Sequence, residues 1–163
     1  MRINGKLVGI CLMGAVGVGA ITAWAAGGEP VPNQLKDPDQ RIVLQLPPDE
    51  RHMVLEEMRN FVVAIQEIAD GLARDDFEQV ATAARTMGSG AANEIPPRVV
   101  NKLPETFKQL AGKVHTTYDA IALDAGSMAD TQLALEQLGD LYGYCVACHA
   151  TYQIEKIPFP DEK

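Results

Sequence analysis

Four stretches of the chain place apolar residues at helical spacing. In 49–72, Leu55, Met58, Phe61, Val62, Ile65, Ile68, Ala69 and Leu72 recur every three or four positions, which predicts one amphipathic helix. Asp49 and Glu50 put negative charge on its first turn, where the helix dipole favours it. A second helix is expected from a cap at Asp75 or Asp76 through Phe77, Val80, Ala81, Ala84 and Met87, stopped by Gly88 and Gly90. A third opens at Pro104-Glu105, carries Phe107, Leu110, Ala111, Val114, Tyr118, Ile121 and Ala122, and ends near Gly126. The fourth is capped by Asp130 or Thr131, and its stripe is Leu135, Leu138, Leu141, Tyr142, Cys145, Cys148, His149 and Tyr152. Pro96, Pro97 and Pro104 interrupt 88–104, the longest internal connection, around a short turn of helix. No run alternates as a half-buried strand does, so no strands are expected. The pattern predicts an all-α fold, an antiparallel four-helix bundle.

The N-terminal stretch differs from the rest. Arg2 and Lys6 precede an apolar run over 7–26, and Ala23-Trp24-Ala25 has the small-x-small form of a cleavage site. Residues 1–25 therefore read as a secretory signal peptide cleaved after Ala25. The alternative is an uncleaved anchor, the one route by which the protein would meet a membrane. A lipoprotein reading through Cys11 is weaker, because the bulky Ile10 precedes it. Residues 26–48 carry Gly27, Gly28, Pro30, Pro32, Pro38, Pro47 and Pro48, the composition of a flexible segment. The folded domain is expected over 49–157, with order beginning near Pro48. Its size suits one domain with a real core.

Export implies a periplasmic, oxidising location. Cleavage also changes two counts. Arg2 and Lys6 leave, so 14 basic residues become 12 against 22 acidic ones, and the net charge moves from −8 to −10. Such an acidic chain excludes nucleic acid as a partner, since phosphates require Lys and Arg. Cys11 leaves as well, and Cys145 and Cys148 remain. Two cysteines three apart close almost no loop, which makes them a poor structural staple.

Their setting, Cys145-Val146-Ala147-Cys148-His149, is the C-x-x-C-H attachment signature of c-type haem. The spacing has a chemical reason. On a helix, positions i and i+3 share a face, so two thiols meet one edge of a porphyrin and form thioethers with its vinyl groups. His149 lies one turn from Cys145, where its imidazole can reach the iron as proximal ligand. A thioredoxin-like C-x-x-C follows a strand, and none is expected here. A zinc site needs four ligands in a tetrahedron, which His52 and His115 do not supply by spacing. A bare disulfide would be strained. One covalently attached haem c per chain is the reading that remains.

The motif lies on the last helix of an all-helical domain, whereas many small c-type cytochromes carry it near the N-terminus. In this the chain resembles class II c-type cytochromes, the cytochrome c′ / cytochrome c-556 family, over about 42–155. The resemblance implies an antiparallel four-helix bundle with haem between helices, often as a homodimer. One departure stands out. Members often carry a basic residue shortly after the motif, where this chain has Gln153 in "CHATYQ".

The resemblance also implies that the sixth iron position faces the first helix. Of His52, Met53, Leu55 and Met58, the last shares the stripe of Leu55, Val62 and Ile65, whereas His52 and Met53 fall on rows with Glu56, Glu57, Arg59 and Asn60. Met58 is thus the expected distal ligand, with core filler as its bland alternative. Counting four residues on from Arg51, the family's early arginine, reaches Leu55 instead, and that alignment leaves the iron five-coordinate under an apolar side chain. His52 and Met87 are remoter ligand candidates. Arg51 is a candidate propionate contact or a solvated first-turn cation. His115 reads as a structural histidine, Gly139 and Gly143 as places of close approach or as tolerated weak spots, and Tyr142 and Tyr152 as aromatics packed on the porphyrin.

The expected function is an electron carrier, not an enzyme, docking on redox partner proteins through a basic patch on their side. The alternative is a five-coordinate, cytochrome c′-like protein that binds NO or CO beneath Leu55. A peroxidase reading lacks an inward distal His–Arg pair.

Overall fold

A computed structural model describes residues 39–156. The expected signal peptide, Cys11 and most of the Pro/Gly-rich segment lie outside the described residues. Those described are mostly helical, in keeping with an all-α class. The order is a strand β1 (Ile42–Leu46), helices α1 (Pro48–Leu72) and α2 (Phe77–Arg85), a 3-10 turn (Ala91–Glu94), short α3 (Pro97–Val100), long α4 (Glu105–Ser127) and α5 (Thr131–Thr151), and a strand β2 (Tyr152–Lys156).

The helix limits follow from local chemistry. Proline opens α1 at a position where its missing N–H costs nothing. Asp76 caps α2 by accepting from the Gln79 amide (3.0 Å), and Asp130 caps α5 by accepting from Leu133 (3.1 Å). Between α1 and α2 the chain turns tightly. A Cβ at Gly71 would sit 2.9 Å from Val80 Cγ2 and 3.0 Å from the Asp76 carbonyl, so glycine is what allows this approach. At Gly139 and Gly143 a Cβ would meet nothing within 4 Å, so no other described helix makes the close approach there.

The two strands correct the expectation of none. β1 and β2 form a parallel ribbon in which Ile42 pairs with Tyr152 and Leu46 with Lys156. Ordered structure therefore starts ahead of Pro48. The ribbon is stable because it is not isolated: Leu44 and Leu46 are buried, and the Arg51 guanidinium donates from Nε to the Ile154 carbonyl (3.3 Å).

The interior divides into two clusters. The larger joins Ala64, Ile68 and Leu72 of α1, Val80 and Ala84 of α2, Tyr118 and Ile121 of α4, and Leu138 and Leu141 of α5. The smaller lies at the end that carries Cys148. There Leu44, Leu46, Val54, Val99, Phe107 and Tyr152 are buried, with Met53, Met58 and Cys148 packed against them. α1 packs along α2, α2 along α4 and α4 along α5, whereas α1 and α5 share no comparable packing. That open seam matters because the two helices carry the candidate residues on their sequence-predicted stripes.

Several side chains in those stripes are not core. Val62 is 65% exposed and Leu135 51%, which corrects their expected burial, and Tyr142 is 49% exposed. Val62 lies one turn beyond Met58 on α1, and Tyr142 two turns before His149 on α5. Both thus continue the face of a candidate residue past the end of the smaller core.

Candidate functional site

Cys145, Cys148 and His149 occupy the last two turns of α5. Both cysteines are half-buried free thiols, and His149 is exposed. Burial pushes both thiol pKa values up, and the neighbouring Cys145 adds to the shift at Cys148. The pair is therefore protonated at neutral pH, and thiols in this state are sluggish nucleophiles.

A cavity of about 160 Å³ brings the separate candidates together. Leu55 and Met58 of α1, Phe107 of α4, Cys148 and His149 of α5, and Tyr152, Gln153 and Ile154 line it, with Arg41 just ahead of β1. Tyr152 forms one wall. Its ring meets Phe107 edge-on, with centroids 5.4 Å apart, and its hydroxyl shares a hydrogen bond with Thr106 Oγ1. Tyr152 is buried, as an aromatic flanking the motif was expected to be.

The structure separates the distal candidates. Met58 and Leu55 both face the cavity, and Met58 also packs into the same apolar cluster as Cys148 and Tyr152. His52 points away, with a 67% exposed side chain and its Nε2 3.6 Å from Glu56. Met87 is buried in the other cluster, and its carbonyl accepts from His115 Nδ1 at 2.9 Å, so it is no part of this cavity. Met53, expected on a solvated row, is partly buried in the smaller cluster, although it too lies outside the cavity. Arg51 is engaged with the Ile154 carbonyl and does not line the cavity.

Sequence reasoning missed Arg41. Nothing in a Pro-flanked stretch ahead of the first helix marked it as close to the motif. The pairing of β1 with β2 puts it there, and its Nη1 donates to the His149 carbonyl at 3.3 Å.

A cavity of about 580 Å³ lies elsewhere, between α1 and the turn after α2, with Glu56, Glu57, Glu67 and Glu94 on its walls. It holds none of the motif residues, and the described residues contain no group of three or more His, Cys, Asp or Glu placed to chelate a metal ion. Nor is any described helix long and apolar enough to cross a membrane. No family model, curated protein or solved structure matches the chain.

Proposed function

We propose that the protein is an exported, periplasmic, monohaem c-type cytochrome of class II that carries electrons and is not an enzyme. In this reading α1, α2, α4 and α5 are the four helices of an antiparallel bundle, and a haem c lies along the seam between α1 and α5. The carrying observation is the single cavity that joins Leu55 and Met58 on α1 to Cys148 and His149 on α5.

The residues fit the group. Two free thiols stand at i and i+3 on one helix, the imidazole follows directly, and the facing wall is apolar. Among the described residues a zinc site lacks its further ligands. The cavity is smaller than a porphyrin: at about 30 Å³ per water it would hold only a handful of waters. A macrocycle attached at Cys145 and Cys148 would therefore need more room than this cavity alone gives.

The haem supplies a one-electron Fe(III)/Fe(II) couple. The chain does the rest. Cys145 and Cys148 would hold the group covalently, and the His149 imidazole and the Met58 thioether would be the iron's ligands. Thioether ligation favours ferrous iron and shuts out small ligands. Phe107 and Tyr152, packed edge-on, would keep water from that side of the cavity. The net charge, −8 for the full chain and −10 once residues 1–25 are cleaved, would steer the protein towards partners with a basic docking patch.

A second reading has its own observation, since Leu55 lines the same cavity as Met58. With Leu55 over the iron the site is five-coordinate and binds NO or CO. The test is to express the full chain in cells that attach haem c and to measure its mass and spectra. The proposal expects one covalent haem, a low-spin spectrum, and no change on adding CO to the reduced protein. A high-spin spectrum that shifts with CO selects the second reading. Colourless protein at bare-polypeptide mass overturns both.

A further inference from the structure

We infer that Arg41, just ahead of β1, raises the reduction potential of the iron held by His149, and that its ion-pair partner Asp39 opposes it. This rests on the function proposed above. Arg41 lines the cavity shared by Met58, Cys148 and His149. Its Nη1 donates to the backbone carbonyls of His149 (3.3 Å) and Tyr152 (3.5 Å), two groups at the helix end that lack helical partners. On its other edge Nε and Nη2 donate to the Asp39 carboxylate at 2.9 and 2.6 Å. The guanidinium is thus held in a fixed orientation, one edge on the carboxylate and the other on the residue that would ligate the iron. The other side chains facing the cavity, Leu55, Met58, Phe107, Tyr152, Gln153 and Ile154, carry no formal charge.

The electrostatics follow. One electron, delivered by a redox mediator or partner protein, converts Fe(III) to Fe(II) and makes or breaks no covalent bond. The oxidised site carries one more positive charge, so a nearby cation disfavours it and raises the potential, and a nearby anion does the reverse. At an effective dielectric constant of about 20, a unit charge about 10 Å away would change the Fe(II)/Fe(III) ratio about tenfold, and the 39% exposure of the Arg41 side chain makes that the upper end of its effect. For one electron that is about 59 mV. Asp39 is ionised throughout the working pH range, because hydrogen bonds from Arg41 hold its carboxyl down to about 2. The pair therefore acts as a dipole with its positive end towards His149.

The test uses the full chain matured with haem, titrated in the presence of redox mediators, and compares Arg41→Gln, Arg41→Lys and Asp39→Asn. Arg41→Gln is expected to lower the midpoint potential by up to the equivalent of about a tenfold change in ratio. Arg41→Lys should stay near the unsubstituted value, and Asp39→Asn should move the potential upward. Amide hydrogen exchange in the last turn of α5 supplies a second readout: it should quicken in Arg41→Gln and not in Asp39→Asn. An unchanged or raised potential in Arg41→Gln overturns the inference. So does a fall in both variants, which is what simple loosening of the strand would give. If Arg41→Gln fails to mature, Asp39→Asn decides alone, its rise supporting the inference and its absence overturning it. A colourless unsubstituted chain is a different failure, that of the proposed function itself.

Discussion

His115 lies on the inner face of α4, buried and bonded at both ring nitrogens. Nδ1 donates to the Met87 carbonyl at 2.9 Å, and Nε2 is 3.4 Å from Glu57 on α1. Burial lowers its pKa, but the hydrogen bonds to Glu57 and to the Met87 and Gly88 carbonyls outweigh it, and the net shift is upward from 6.5. The folded pKa thus exceeds the unfolded one. The stabilisation is complete below about pH 6.5 and is lost as pH rises through the folded pKa. His115→Gln should therefore cost about 1–3 kcal/mol at acidic pH and less at alkaline pH. Urea unfolding across that range measures it. Met58 lies one position from Glu57 on α1. On the proposed reading, Met58→Ala abolishes the near-infrared sulfur-to-iron absorption and opens the reduced iron to CO. An unchanged spectrum would remove Met58 from the ligand set. The expectation that His115 is structural was legible because a histidine in an apolar stripe must find partners, although which partners depended on how α1 and α2 come to lie against α4.

At the scale of elements, helices were readable and their partners were not. Caps at Asp76 and Asp130, prolines at the starts of α1 and α4, and apolar periodicity are local signals that act within a few residues. The ribbon of β1 and β2 is the opposite case. Ile42-Val43-Leu44-Gln45-Leu46 is too short to show a period, and its hydrogen-bonding partner lies beyond α5. Nothing local announces such a pairing, yet it carries Arg41 to the motif. The exposure of Val62, Leu135 and Tyr142 was likewise hidden, because a stripe shows which face is apolar and not whether another element covers it. A test of element packing lies at the α1–α2 turn. Gly71→Ala would drive a methyl against the Asp76 backbone oxygen, which cannot yield as a side-chain end can. The expected loss is about 1–3 kcal/mol, despite the helix propensity gained, and thermal or urea unfolding reads it directly.

For the whole molecule the governing quantity is charge. With 22 acidic residues against 14 basic ones, the chain projects a negative field. On the proposed electron-carrier reading it should react with a basic partner at a rate that falls steeply as ionic strength rises through the range where the Debye length shrinks from about 30 Å to about 8 Å. Stopped-flow reduction or oxidation at several salt concentrations checks this, and a rate that ignores salt removes the basic docking patch from the reading. By itself, the sequence determined the helices, their limits, the acidic balance and the C-x-x-C-H spacing, because each is set by neighbours along the chain. Only the tertiary structure decided that Met58 and Leu55 face Cys148 and His149, that Met87 and His52 do not, and that Arg41 closes the same cavity. Those are contacts between segments far apart in the chain, and their geometry comes from how the helices and the ribbon pack.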